Sequence, residues 1–300
     1  MEVKVIALIN IGDINLECLI EGTGEKTVVI VPGMGCSFYP WLSIANEISK
    51  YAKVVSFHRT GYGSSDAHIE SSTTEIATVD LHALLEKLNI KENIILVGHS
   101  YGGLCVQHFA RVYPKKICGV VLVDSSSVDG YKFNELHLPV SDKTEGDDIF
   151  IKEWTRYSKY TKEQLENELK PSLSAKELQL PSEVQNRILD FLVNPELYRN
   201  TLSELIDLRI GVRKIKDTGS FPQVPLKILV RDTEYNINES IKADGIPRVE
   251  AESIENLWRD LSLELKQLSD KSEIKFIENS GHCIHEDNPE EVIKAIKDLI

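Results

Sequence analysis

The chain has 300 residues, 42% of them hydrophobic, which suits one large domain or a core domain with an insertion and excludes a disordered chain. Its 34 Lys and Arg against 47 Asp and Glu give a formal net charge of −13, which disfavours non-specific binding to nucleic acid or to anionic membranes. No apolar stretch approaches the ~20 residues that span a bilayer, and the run Met1 to Ile9 lacks a preceding basic region and is broken by Lys4, unlike a secretory leader.

Val3 to Ile9 and Ile14 to Ile20 read as strands joined by the polar turn Asn10-Ile11-Gly12-Asp13. Lys26 to Val31 is a continuous apolar run, the pattern of a buried strand, and it ends in the loop Pro32-Gly33-Met34-Gly35. Helical spacing follows over Trp41 to Ser49, then a short strand over Lys53 to Phe57. Thr74 to Leu88 is amphipathic, with Ile76, Val79, Leu81, Leu84, Leu85 and Leu88 as its apolar stripe. Asn93 to Val97 reads as a strand, Leu104 to Tyr113 as a helix, and Ile117 to Val123 as another buried strand ending at Asp124. This alternation predicts a mainly parallel sheet with helices on both faces.

From Val128 to Thr218 the strand signal stops. Charged helical patterns cover Ile149 to Tyr157, Thr161 to Leu169, Ser174 to Leu180, Glu183 to Leu192 and Glu196 to Ile210, punctuated by Pro139, Pro171, Pro181 and Pro195. The expected organisation is a core of residues 1–127 and 219–300 with a helical insertion, 128–218, over the carboxyl edge of the sheet. The β/α rhythm returns with a strand at Leu226 to Val230, a long helix at Val249 to Ser269 and a strand at Glu273 to Glu278. The final helix, Pro289 to Ile300, has Asn288 as its N-cap.

Chemistry concentrates in Gly98-His99-Ser100-Tyr101-Gly102. A bare G-x-S-x-G arises by chance in roughly one chain in ten of this length, so its setting decides its meaning. Here it lies between an apolar strand and an amphipathic helix, which places Ser100 at the apex of a sharp turn. The small neighbours relieve crowding there, and the helix aims its first amides at whatever the serine attacks. A serine hydroxyl needs a base, and the base needs an orienting group. Of eight histidines, His282 stands out: it lies in the small-residue loop Asn279-Ser280-Gly281-His282 after the last strand, at the sheet edge that carries Ser100. His285 is the rival. His99 is expected to pack beneath the elbow, and His68, His82, His108 and His137 to have structural or surface roles.

Taken together, Gly98 to Gly103, the loop Pro32 to Gly35, the turn Arg59-Thr60-Gly61-Tyr62-Gly63-Ser64-Ser65 and Ser280-Gly281-His282 resemble the α/β-hydrolase superfamily, in its order, from about residue 25 to the C-terminus apart from the insertion. The resemblance implies an eight-stranded, mostly parallel sheet, Ser100 as nucleophile, His282 as general base, and an oxyanion hole from the amides of Tyr101 and Met34. The chain departs from the family pattern at Pro32, where His-Gly is common, and at His58-Arg59, where Asp-Arg is often seen. The third member of the triad is open. The usual acid position after Leu226 to Val230 here reads Arg231-Asp232-Thr233-Glu234, so Asp232 and Glu234 compete with Asp124, whose buried strand end demands a partner. Asp124 is favoured, with Asp232 as runner-up.

The expected protein is therefore a serine hydrolase acting on a small carboxylic ester or a related acyl bond, without metal or organic cofactor. The rival is a ligand-binding or signalling protein of the same fold with little turnover. The five cysteines (Cys18, Cys36, Cys105, Cys118 and Cys283) lack C-x-x-C spacing and fit reduced thiols in a cytoplasmic protein, with Cys36 and Cys283 as packing residues. A small molecule is the expected partner, with no nucleic acid and no membrane insertion.

Overall fold

The structure, a computed structural model, describes residues 6–68, 71–143 and 146–300. Strand β1 (Ile6–Asn10) pairs antiparallel with β2 (Asn15–Glu21) across a tight turn closed by Ile11 N–H donating to Ile14 O at 3.0 Å. The start of the expected first strand, Val3 to Val5, lies outside the described residues. There follow β3 (Thr27–Val31), α1 (Leu42–Ile48), β4 (Lys53–Phe57), α2 (Thr74–Lys87), β5 (Ile94–His99), α3 (Tyr101–Val112) and β6 (Ile117–Val123). Between β6 and β7 lie α4 (Asp147–Tyr157), α5 (Lys162–Leu169), α6 (Ser182–Leu192), α7 (Pro195–Ile206) and α8 (Leu208–Asp217). The chain closes with β7 (Leu226–Arg231), α9 (Thr233–Asp244), α10 (Arg248–Glu264), β8 (Ser272–Ile277), α11 (Ile284–Asp287) and α12 (Pro289–Lys297).

The eight strands form one sheet in the order β1-β2-β4-β3-β5-β6-β7-β8, antiparallel at β1/β2 and β2/β4 and parallel elsewhere. β3, β5 and all but one residue of β6 are buried, which is why they read as unbroken apolar runs. Helices α1 and α12 pack together on one face, with Trp41, Ile44, Ile48, Val292 and Ile296 in that layer; α2, α3 and α8 meet on the other, with Leu84, Leu85, Leu104 and Phe109. Each such fully buried side chain contributes about 1.5–3 kcal/mol relative to exposure. After β4 the chain crosses over β3 to reach β5. The strand order reverses there, which makes the carboxyl ends of β3 and β5 the topological switch point of the sheet.

Some elements differ from expectation. On α2 the inward face is Thr74, Thr78, Leu81, Leu84 and Leu85, while Val79 is 59% exposed, because the true stripe is rotated from the one the apolar letters suggest. Ser174 to Leu180 forms only a 3-10 turn at Glu177–Gln179. The pattern over Glu196 to Ile210 breaks at Asp207 into α7 and α8, and α8 leaves the insertion to pack on α2 and α3. The long helix ends as α10 with a 3-10 turn at Leu265–Leu268. Helix α9 was not anticipated; it buries only Ile237 fully, too little apolar patterning to announce it. Asn288 stands at the N-cap of α12 but makes no side-chain cap bond.

Candidate active site

Ser100 ends β5 and starts α3 with φ 52° and ψ −123°, a conformation costing an L-residue about 1–3 kcal/mol. The turn is held from three directions. Ser100 N–H donates to Val123 O at 3.3 Å, and Ser100 O accepts from Gly103 N–H at 2.9 Å and Ser126 N–H at 3.1 Å. The helix starts so close to β3 that a Cβ on Gly102 would lie 2.1 Å from Val31 O, so only glycine fits. Tyr101 is the first residue of α3, and its amide has no intrahelical partner. On the other side, a Cβ on Gly33 would lie 3.1 Å from the Ser100 Cβ, so the loop after β3 borders the serine directly. Met34, next in that loop, is half-buried.

His282 lies on the β8–α11 loop. Its Nδ1 is 2.6 Å from Asp124 Oδ2. A carboxylate accepts, so Nδ1 carries the proton and Nε2 is left as the basic nitrogen. His99 supports the loop from below: its Nε2–H donates to His282 O at 3.0 Å, and the two rings lie 4.7 Å apart. Burial, then the neighbouring His282, pushes the His99 pKa down to about 3, so it stays neutral. The rival, His285, is buried and stacked on Trp41 at 4.2 Å and 10°. His68 meets Asp80, His82 stacks on Tyr113, and His108 meets Thr74.

Asp124 is fully buried at the end of β6, with φ 40°. Its Oδ1 accepts from Arg231 N–H and Trp258 Nε1–H, each at 3.0 Å; its Oδ2 accepts from His282 and, at 3.5 Å, from Arg231 Nη1. Burial opposes the charge, but the His282 bond and the Arg231 guanidinium outweigh it and hold the carboxyl below its usual range. Arg231 is balanced in turn by Glu255, through Nε at 3.0 Å, and lies 4.2 Å from the Trp258 ring, which meets His282 edge-on at 5.5 Å. Asp232 points elsewhere. It caps α9 by accepting from Glu234 and Tyr235 N–H, and its other oxygen accepts from Asn279 N–H at 3.0 Å, so it ties down the start of the His282 loop. Glu234 pairs with Arg248 at the surface. The structure thus brings Ser100, His282 and Asp124 to one sheet edge, where the carboxylate bonded to His282 is Asp124 and Asp232 is turned to α9 and Asn279.

Sequence reasoning missed Trp258, Glu255 and the part played by Arg231. The available signal was Glu255-Asn256-Leu257-Trp258, one helical turn with two chemistry-bearing residues on neighbouring positions. It also missed Glu204 of α7, which meets Arg59 at 2.8 Å with both side chains 3% exposed.

Cys283, His285 and Glu286 offer ligand atoms within 4.8 Å of one another. Burial, reinforced by the Glu286 charge, pushes the Cys283 thiol up to about 12, so by itself it rests as the neutral thiol. Burial likewise lifts Cys36 to about 11. Among the described residues, no helix is long and apolar enough to cross a membrane.

Known proteins share this fold. The family described as alpha/beta hydrolase fold matches residues 26–211, more than half of the chain. A cis-3-alkyl-4-alkyloxetan-2-one decarboxylase from Shewanella oneidensis is 32% identical over 110 residues, which is 36% of this chain and about a third (34%) of that relative's length. An epoxide hydrolase solved without ligand superimposes with a TM-score of 0.70 at 16% identity, covering 98% of each chain. A thermophilic esterase from Thermogutta terrifontis gives 0.61 at 20% identity, covering 99% of this chain and 96% of its own.

Proposed function

The chain belongs to the alpha/beta hydrolase fold family, and on that premise we propose that it is a serine hydrolase of small carboxylic esters or related acyl bonds. The observation that carries the reading is the buried Asp124 carboxylate, 2.6 Å from His282 Nδ1, at the sheet edge where Ser100 is held at positive φ. Ser100 Oγ attacks the carbonyl carbon as His282 Nε2 takes its proton. The negative charge that develops on the carbonyl oxygen is met by the amides of Tyr101 and Met34. His282 then returns the proton to the leaving alcohol, and water cleaves the acyl-serine by the same steps in reverse order. Asp124 stays ionised throughout; it holds the tautomer and stabilises the imidazolium. Each oxyanion donor is worth about 3 kcal/mol of barrier.

A serine at the elbow separates this chemistry from epoxide or haloalkane cleavage by an attacking carboxylate, although one fold neighbour is an epoxide hydrolase. Residues 128–218 are read as a cap that shapes the substrate pocket, with α8 as its return into the core. The test is a panel of p-nitrophenyl esters on wild type and Ser100→Ala. Multiple turnovers lost in Ser100→Ala support the reading; a single burst equal to the protein concentration supports a binding protein instead.

A further inference from the structure

We propose that Glu204, on α7, is a positioning residue for the oxyanion hole: through Arg59 and Tyr62 it fixes the loop on both sides of Met34. The inference rests on the reading of Met34 and Tyr101 as oxyanion donors.

An oxyanion donor is useful only if it is aimed before charge develops. The loop after β3 has left the sheet ladder at this point and keeps only one long turn bond of its own, Cys36 N–H to Gly33 O at 3.3 Å, so side chains must supply the rest of the hold. Upstream of Met34, Arg59 Nη1 donates to Pro32 O at 2.6 Å and Nη2 to Gly33 O at 2.9 Å. In a trans peptide the C=O and N–H point to opposite sides, so anchoring Gly33 O sets the direction of the Met34 N–H. Downstream, Gly35 N–H donates to the Tyr62 hydroxyl at 3.0 Å. The same guanidinium lies 5.3 Å from the ring of Tyr101, which supplies the second donor.

Both holds converge on one carboxylate. Glu204 accepts from Arg59 Nε at 2.8 Å and Nη2 at 3.0 Å, and from the Tyr62 hydroxyl at 2.6 Å. Arg59, Tyr62 and Glu204 are all buried. Without Glu204, Arg59 would be an uncompensated buried charge and would move toward water, releasing Pro32 and Gly33. The insertion therefore does more than cover the pocket: α7 supplies the counter-charge that keeps the loop in its working position.

A structural role alone would lower stability and leave the working site intact, so the experiment separates the two. The double variant Arg59→Met/Glu204→Leu replaces the ion pair by apolar side chains, which restores packing but not the bonds to Pro32 O and Gly33 O. Its kcat and KM on a p-nitrophenyl ester are measured beside its melting midpoint and the Ki of a trifluoromethyl ketone, which becomes an oxyanion on Ser100. The expected result is a folded protein with kcat down about 10²-fold, KM within about 3-fold, and the ketone Ki raised by the same ~10². Folded protein with kcat and ketone Ki near wild type overturns the proposal. If the double variant does not fold, Tyr62→Phe keeps the ion pair and releases only Gly35; a roughly 10-fold parallel change in kcat and Ki supports the role, and no change overturns it. Wild type with no Ser100-dependent turnover and no ketone binding contradicts the hydrolase reading itself, and the positioning role falls with it.

Discussion

The His282–Asp124 pair has a counterpart elsewhere in the fold. His58 Nδ1 lies 2.8 Å from Glu17 Oε2, and Ser37 Oγ is 3.0 Å from His58 Nε2, so serine, imidazole and carboxylate are joined in the order a triad requires. Both acids are buried, and both are held below their usual range: Glu17 is lowered to about 2, burial being outweighed by the bonds from His58, Ser64 and Tyr39. The differences lie around the imidazole and the serine. His282 is 38% exposed, whereas His58 is fully buried and its Nε2 also accepts from Phe38 N–H at 3.2 Å. Ser37 has no positive φ and precedes only a three-residue 3-10 turn, while Ser100 is strained at the head of a twelve-residue helix. On the proposed reading, a hydrogen-bonded Ser-His-acid chain does not by itself make a catalytic site. What distinguishes the Ser100 array is a part-exposed imidazole and a serine held at positive φ where a long helix begins; the Glu17 array holds residues 37–39 and, through Arg187 at 2.7 Å, anchors α6.

The widest separation comes from removing each acid's charge. Asp124→Asn is expected to lower kcat by about 10⁴, because the amide stabilises the wrong tautomer of His282, with a loss of stability too small to account for that fall. Glu17→Gln is expected to do the reverse: a loss of about 3–5 kcal/mol in denaturant unfolding, with turnover per folded molecule within ~10-fold. Asp232→Ala belongs to the structural side, losing about 0.5–2 kcal/mol of cap stability and keeping measurable turnover. Turnover lost in Asp232→Ala and kept in Asp124→Asn would reverse the assignment.

Acidity provides a second, smaller contrast. Burial lowers the pKa of His58, of His99 to about 3, and of His285, so the folded protein keeps them neutral while the unfolded chain protonates them near 6.5. The unfolded state then binds more protons, and stability falls as pH drops below about 6.5. The depressed carboxylates extend the loss: the Glu17 contribution is present above about 4.5 and disappears as pH falls toward 2, and Asp124 acts in the same direction. Urea titrations at pH 8, 7, 6 and 5 should give midpoints that are flat from 8 to 7 and then decline. A midpoint that rises between pH 7 and 5 would contradict neutral buried histidines. The smallest effect is expected for Ser37→Ala, with kcat within ~3-fold of wild type, because His58 Nε2 keeps its bond from Phe38.

The sequence made the parallel strands plain, since strands buried on both faces are apolar at every position, and it singled out Ser100 and His282 as candidates, since each sits in a small-residue loop at one sheet edge. The acid was harder. Asp124 and Asp232 both end strands at that edge, and only the fold decides which faces His282 and which turns to cap α9. The break at Asp207 was hidden because α7 and α8 continue one helical pattern. The Arg59–Glu204 contact spans 145 residues, a separation no local pattern reports.

The central claim, that Ser100 alone of the two serines is an activated nucleophile, is tested most directly with a fluorophosphonate probe. Intact mass and peptide mapping would be applied to wild type, Ser100→Ala and Ser37→Ala. The account predicts one label per chain, on Ser100, retained in Ser37→Ala and absent in Ser100→Ala. Labelling that survives Ser100→Ala, or a wild type that takes no label near neutral pH, would contradict it.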